Sequence, residues 1–314
     1  MNVVFRYDSG EELKQRLKTL PRILTVHTCG ESDDVTFPEL MKTAEVLWHC
    51  LRPVTAETIA GAPRLKLIQK IGVGLNTIDL EAARARGIAV ANMPGTNSRA
   101  VAEMTLLLML AALRRLPAVD RATREGQGWV TGPALQDHYG ELGGKTVGLV
   151  GYGAVPAILA PILRAMGAKV LYTARQQRPD AAAEWRTLPA LLAEADIVSM
   201  HVPDTPETHG IIDAAAIARM KPGAIFVNTA RGGLVDEPAL VAALESGHLR
   251  AAGLDVFAQE PVKAAGNPLL ALDNVVLAPH LAWLTIETFD RSLAVAVENC
   301  RRLAAGEKLL HQVV

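Results

Sequence analysis

Short β-branched runs alternate with helix-length Ala- and Leu-rich stretches along this chain, and the alternation occurs twice. "VVFRY", "ILTVH", "EVLWHC", "LKLIQ" and "GIAVAN" fall in the first 92 residues. "TVGLVG", "KVLYT", "ADIVSM", "AIFVNT", "AAGLDV" and "NVVLAP" form a second series, with candidate helices near 154–166, 213–220 and 236–247. Strands alternating with helices predict βαβ units and parallel sheets. A helical segment at about 98–126 separates the two series, so the pattern predicts two α/β domains, Rossmann-like or flavodoxin-like, rather than one large sheet. The length, 314 residues, accommodates two domains.

The stretch "NMPGTNS" (92–98) reads as the junction. Pro94 and Gly95 end the strand, and Asn97 or Ser98 can cap the next helix. A last helix, roughly 284–305, follows the second series and can return to the first domain. This places one domain at 1–97 plus 284–314 and the other at 98–283.

The net charge of −1 gives no attraction to nucleic acid or to an anionic membrane, and aromatics at 4% offer few stacking platforms. Cys29, Cys50 and Cys300 are scattered, as free thiols in a reducing compartment are. The N-terminus lacks the apolar core of a signal peptide, and the run "LLLMLAAL" is too short to span a bilayer. A cytoplasmic protein is expected.

The segment "VGYGAVPAILA" (150–160) carries two of the three glycines of a dinucleotide fingerprint, between a strand and a helix. Gly151 permits the tight turn and Gly153 lets a pyrophosphate approach the backbone. Tyr152, Ala154 and Val155 complete the loop, and the helix N-terminus offers free N–H groups and a positive dipole end. Pro156 replaces the third glycine, in a first-turn position where its missing N–H breaks no helical bond.

The next strand ends in "VLYTARQQRPD". NAD binders place an acid there for the ribose hydroxyls. Here the end is Thr173, Ala174 and Arg175, with Arg178 beyond. An arginine grips a ribose 2′-phosphate that an acid would repel. NADP(H) is therefore the expected cofactor, with NAD(H) the alternative.

Three later segments arrive in order: "VNTARGGLVDEPALVAAL" (227–244), "AAGLDVFAQEP" (251–261) and "LAPHLAWLT" (277–285). With "KIGVGLNTIDLEAARARGIAVANMPG" (70–95) and "RAVAEMTLLLMLAALRR" (99–115), they resemble the D-isomer-specific 2-hydroxyacid dehydrogenases along nearly the whole chain. "LYTARQQRP" is similar to the NADP(H)-preferring glyoxylate/hydroxypyruvate reductases of that family. The resemblance implies a split substrate-binding domain, a cofactor domain, an active-site cleft between them, and a homodimer with the helix after the junction in its interface.

Site residues follow from the same resemblance. Arg231 matches the arginine that binds the 2-oxo acid carboxylate and polarises the carbonyl; a guanidinium fork suits a planar carboxylate. His280 matches the acid that protonates the carbonyl oxygen, and Glu260 its partner. A carboxylate beside an imidazole favours the charged, proton-donating form. Backbone N–H groups of Val73 and Gly74 correspond to a carboxylate cradle. Asp255 resembles the residue that holds the nicotinamide carboxamide, while Thr229 and Ala230 would line the nicotinamide pocket. Trp283 would wall the substrate pocket or fill the core. His201 reads as a cofactor-wall or structural residue, with Val202 and Pro203 near the adenine. His49 and His138 sit in no motif, and no metal-ligand spacing occurs.

The sequence departs from the family pattern at Pro156, at Ala154, where an arginine often helps hold pyrophosphate, and at Asn76, where Asp is common. An alternative function is a dinucleotide-sensing binding protein, like the corepressors built on this scaffold. A formate dehydrogenase-like enzyme fits less well, because such enzymes place glutamine where Glu260 stands.

Overall fold

A computed structural model describes residues 1–129, 139–263 and 266–314, so His138 lies outside the described residues. The chain divides into two compact units, Met1–Asn97 with Thr285–Val314, and Ser98–Leu284.

The first unit holds five parallel strands: β1 (Asn2–Arg6), β2 (Thr25–Cys29), β3 (Val46–His49), β4 (Leu67–Lys70) and β5 (Ala89–Ala91). Their order, β2-β1-β3-β4-β5, is that of a flavodoxin-like sheet. Every residue of β3 and β4 is buried, as expected of central parallel strands covered on both faces. Edge strand β2 instead alternates between exposed and half-buried positions. The core gathers Phe37, Met41, Leu47, Ile59 and Ile68. The last helix, Ile286–Ala305, belongs to this unit and starts at Thr285, whose side chain caps the Thr288 N–H.

The second unit holds seven parallel strands: β6 (Thr146–Val150), β7 (Lys169–Thr173), β8 (Glu184–Trp185), β9 (Ile197–Met200), β10 (Ala224–Asn228), β11 (Leu249–Leu254) and β12 (Val275–Leu277). The order is β12-β11-β10-β9-β6-β7-β8. Chain direction across the sheet reverses between β6 and β9. In doubly wound folds, ligands bind at such a switch point, beyond the carboxyl ends of the strands. One core cluster includes Phe226, Leu240 and Leu254, and the other Tyr172, Leu149 and Met109. Full burial of a side chain such as Phe226 contributes about 2–3 kcal/mol. Asp213 and Asp236 cap the helices Ala214–Arg219 and Glu237–Glu245 through the N–H groups of Ala216 and Ala239.

Two features differ from the sequence reading. The helical stretch 98–126 is two helices, Ser98–Leu113 and Leu116–Arg124. Arg115 takes a left-handed conformation between them, at φ 49°. A continuous helix would bring the Pro117 ring against the Leu113 carbonyl; that carbonyl instead accepts the Gly140 N–H at 3.0 Å. The two-residue edge strand β8 was not legible as a β-branched run.

Candidate active site

Arg231, Glu260 and His280 follow the carboxyl ends of β10, β11 and β12, which are neighbours in a parallel sheet. The topology alone therefore gathers their loops at one edge. Close packing does the rest. Gly232 lies so near the Phe257 carbonyl that a Cβ there would collide with it, which brings the Arg231 loop against the turn that carries Glu260. Asn228 fixes the arginine loop from within: its Oδ1 accepts the Ala230 N–H at 3.0 Å and its Nδ2 donates to the Arg231 carbonyl at 2.8 Å. Glu237 braces the turn by accepting the Ala258 N–H at 2.9 Å.

His280 and Glu260 meet at 2.6 Å, Nδ1 to Oε2. Glu260 Oε1 accepts the Phe257 N–H at 3.0 Å, so the carboxylate is oriented by its own turn. His280 has φ 57°, an uncommon conformation for a side-chain-bearing residue. It is held there by the Asp255 carbonyl, which accepts the His280 N–H at 2.7 Å. With Nδ1 engaged, Nε2 is the ring nitrogen left to face a reactant.

Burial alone would raise the Glu260 carboxyl. The hydrogen bond and charge of His280, the Phe257 N–H and the Arg231 charge outweigh it, and the net position is below the ordinary value. Burial lowers Arg231, while Glu260 and Asp204 pull the other way. A guanidinium stays protonated through such a shift. Its Nη1 donates to the Ala230 carbonyl at 2.6 Å, which steadies the fork beside the pair.

The glycine loop has the features that a dinucleotide needs. Gly151 has φ 106°, and a Cβ there would lie 2.6 Å from the His201 carbonyl oxygen. Gly153 starts the helix Ala154–Ala165 with no side-chain cap, and a Cβ at Gly153 would meet nothing within 4 Å. The N–H groups of the first helical turn therefore have no side-chain cap, and a backbone this open can be approached by a pyrophosphate. Pro156 is buried at the third helical position, and the first helical bond, Ala157 N–H to the Gly153 carbonyl, forms at 3.1 Å without it. Tyr152 is half-buried against the sheet. Thr173 closes β7, and its carbonyl accepts the Gly151 N–H at 2.9 Å. Ala174 follows, half-buried, then Arg175 and Arg178, both exposed, with the Arg175 charge acting on Glu207.

Several of these side chains bond other parts of the second unit. Asp255 is fully buried, and its Oδ1 and Oδ2 accept the Leu281 and Ala282 N–H groups at 2.8 and 2.9 Å. Its carboxylate thus holds the His280 loop. The Thr229 hydroxyl bonds Thr105 at 2.8 Å, toward the helix Ser98–Leu113. The half-buried His201 ring bonds Ser199 at 3.0 Å, and desolvation lowers the imidazole to about 3, so it is neutral. Val202 packs against the core under Gly151, and Pro203 is exposed beside it. Trp283 is half-buried.

In the other unit, Val73 is 44% exposed just beyond β4. The Val73 carbonyl accepts from Asn92 at 2.9 Å, while the Val73 and Gly74 N–H groups take no partner among the described residues. Sequence reasoning missed Asn228, Gly232, Glu237 and Asp204, which act on the site through backbone contacts or, for Asp204, through charge. Among the described residues, no cluster of His, Cys, Asp and Glu could hold a metal, and no helix is long and apolar enough to cross a membrane.

Residues 106–282 match the family model described as D-isomer specific 2-hydroxyacid dehydrogenase, NAD binding domain. A D-3-phosphoglycerate dehydrogenase of Mycobacterium bovis is 45% identical over 282 residues, covering 88% of this chain and 52% of that relative. The chain thus spans about half the length of such relatives. A glyoxylate reductase of Aeropyrum pernix is 41% identical over 274 residues, covering 85% of this chain and 82% of that one. The solved structure of the TT0316 protein from Thermus thermophilus superposes with a TM-score of 0.90 at 38% identity, over 100% of both chains. The chain belongs to the D-isomer-specific 2-hydroxyacid dehydrogenase family.

Proposed function

We propose that this protein reduces a short 2-oxo acid, of the glyoxylate or hydroxypyruvate kind, to a D-2-hydroxy acid with NADP(H) as the preferred cofactor. The observation that carries the reading is the 2.6 Å contact between Glu260 and His280 Nδ1, which leaves Nε2 as the donor beside a half-buried guanidinium. Relatives named for glyoxylate and for D-3-phosphoglycerate act on acids that share one group, the 2-oxo or 2-hydroxy carboxylate. Arg231, Glu260 and His280 address that group alone.

Gly151, Tyr152, Gly153, Ala154 and Val155 would hold the pyrophosphate. Thr173, Ala174, Arg175 and Arg178 would surround the phosphorylated ribose, Val202 and Pro203 the adenine, and Thr229 and Ala230, by their backbone, the nicotinamide. When bound, the reduced nicotinamide supplies the hydride. Arg231 binds the substrate carboxylate and draws electron density toward the carbonyl oxygen. Protonated His280 delivers its Nε2 proton to that oxygen, and Glu260 keeps the ring oriented and its charge compensated. In the oxidation direction, neutral His280 accepts the hydroxyl proton at the same atom. Val73 and Gly74 would offer N–H groups to the substrate carboxylate, which is the ground for reading Met1–Asn97 with Thr285–Val314 as the substrate-binding unit. Trp283, in the unit Ser98–Leu284, would wall the substrate.

A homodimer is part of this reading, supported by Leu107 and Leu116, which are 53% and 49% exposed on the helices after the junction. So is a cytoplasmic location, supported by three free, buried thiols. The deciding experiment titrates the purified protein with NADPH and NADH by nicotinamide fluorescence, then follows NADPH oxidation with glyoxylate and hydroxypyruvate. Tighter NADPH binding with turnover is expected. Cofactor binding with no turnover on any short 2-oxo acid would turn the assignment toward a dinucleotide-sensing binding protein.

A further inference from the structure

The loop that carries Arg175 and Arg178 is pinned by aromatic side chains along its length. Tyr172, at the end of β7 and 1% exposed, meets both backbone polar groups of Arg178: its oxygen accepts the Arg178 N–H at 2.6 Å and its O–H donates to the Arg178 carbonyl at 3.3 Å. Tyr152, the middle residue of the Gly151–Gly153 loop, accepts the Ala182 N–H at 2.9 Å. The two tyrosine rings pack at 4.5 Å between centroids. Trp185 Nε1 donates to the Ala174 carbonyl at 3.3 Å. The start, middle and end of the segment 174–182 are thus each tied to the domain core, while Arg175 and Arg178 stay exposed; the Arg175 charge acts on the Glu207 carboxylate.

A mobile loop bearing two arginines loses conformational freedom when it closes on an anion, and a loop already held in place loses much less. The tyrosine hydroxyls do not touch the arginine side chains. They fix the backbone from which those side chains extend.

We propose that Tyr172, assisted by Tyr152, is a positioning residue that sets selectivity for the 2′-phosphorylated cofactor by holding the Arg175–Arg178 backbone ready for the phosphate. The proposal rests on the NADP(H) reading above and extends it to residues outside the anion-binding pair. Tyr172→Phe keeps the buried ring and removes only the hydroxyl that engages Arg178. A hydrogen bond of this class corresponds to roughly a five-fold change in an equilibrium constant.

The test measures dissociation constants of NADPH and NADH by nicotinamide fluorescence at fixed salt, for wild type, Tyr172→Phe, Tyr152→Phe, and Arg175→Ala with Arg178→Ala. The expected result is a loss of roughly five-fold in NADPH affinity for Tyr172→Phe, with NADH affinity changed less than about two-fold, and a drop in the same selectivity ratio for Tyr152→Phe. Equal weakening of both cofactors by Tyr172→Phe would mean that the hydroxyl serves the fold alone, and would overturn the proposal. If the arginine variant loses NADPH selectivity and the tyrosine variants keep it, the tyrosine proposal falls while the cofactor reading stands. If wild type shows no preference and the arginine variant changes nothing, the cofactor reading itself falls and takes the proposal with it.

Discussion

Asp255 holds three consecutive amides of the loop that begins at His280. Its main-chain carbonyl accepts the His280 N–H, and its two carboxylate oxygens accept the N–H groups of Leu281 and Ala282. Burial raises its carboxyl above the ordinary range, with those two N–H groups opposing the shift. Asp255→Asn keeps the size but offers one oxygen for two donors, and turns an amide N–H₂ toward an N–H. A loss of about 1–3 kcal/mol is expected, the usual result of leaving a buried donor unsatisfied. kcat should fall more than KM rises, because the loop orients the proton donor. Urea unfolding and steady-state kinetics on the same preparation test both; an unchanged kcat would remove Asp255 from the support of His280.

His280→Ala removes the proton donor and should lower kcat by about 10²- to 10⁴-fold, the range of a lost general acid. Glu260→Gln should cost less, since a neutral amide can still orient Nδ1. Its pH dependence is the sharper test. The Glu260 carboxyl lies below its ordinary value of 4.5, so the stability it contributes is complete above that pH and is lost as pH falls through the lowered value. Wild type should therefore lose more unfolding free energy than Glu260→Gln as pH falls below about 4.5. Parallel loss in the two proteins would show that the carboxylate charge gains nothing from its partners.

The doubly wound units were legible because buried parallel strands are short runs of β-branched and apolar residues, such as "EVLWHC" and "AIFVNT", that alternate with helix-length stretches. Arg231, Glu260 and His280 were legible through the segments around them. The break at Arg115 was overlooked because the apolar periodicity continues past Pro117, although the Pro117 ring itself excludes a continuous helix there. Asp255 was read from its place at a strand end, but its partners lie 26 and 27 residues away and nothing local announces them. Asn228 and Glu237 work through backbone atoms, which carry no sequence signal.

Gly232 illustrates a constraint that is steric rather than conformational. A Cβ at this position would collide with the Phe257 carbonyl and crowd the Ala258 amide. Gly232→Ala must therefore separate the Arg231 loop from the Glu260 turn. The expected outcome is a destabilisation of about 1–3 kcal/mol, as for other overpacked sites, with kcat/KM for the 2-oxo acid reduced at least ten-fold because Arg231 leaves its position beside Glu260. Thermal unfolding and kcat/KM together decide the matter; wild-type values of both would mean that the contact relaxes without moving the arginine.

Among the described residues, buried His49 and half-buried His201 have imidazoles lowered far below the ordinary value, and both shape the response to acid. Burial lowers His201 to about 3 in the second unit. In the first, burial together with the nearby Lys70 charge lowers His49 to about 3, against the Arg52 carbonyl, which favours the charged ring. An unfolded histidine takes its proton near 6.5, so between that pH and about 3 the unfolded chain binds the extra protons. Stability is then complete above about 6.5 and falls as pH drops, by at most about 1.4 kcal/mol per pH unit for each ring. His201→Gln can keep a hydrogen bond to Ser199 without a titrating group, and should flatten this dependence for the second unit. Urea midpoints of wild type and His201→Gln, measured from pH 7 to about 4.5, provide the check. The variant should lose less stability over that interval, and coincident slopes would mean that the His201 ring accepts a proton in the folded protein.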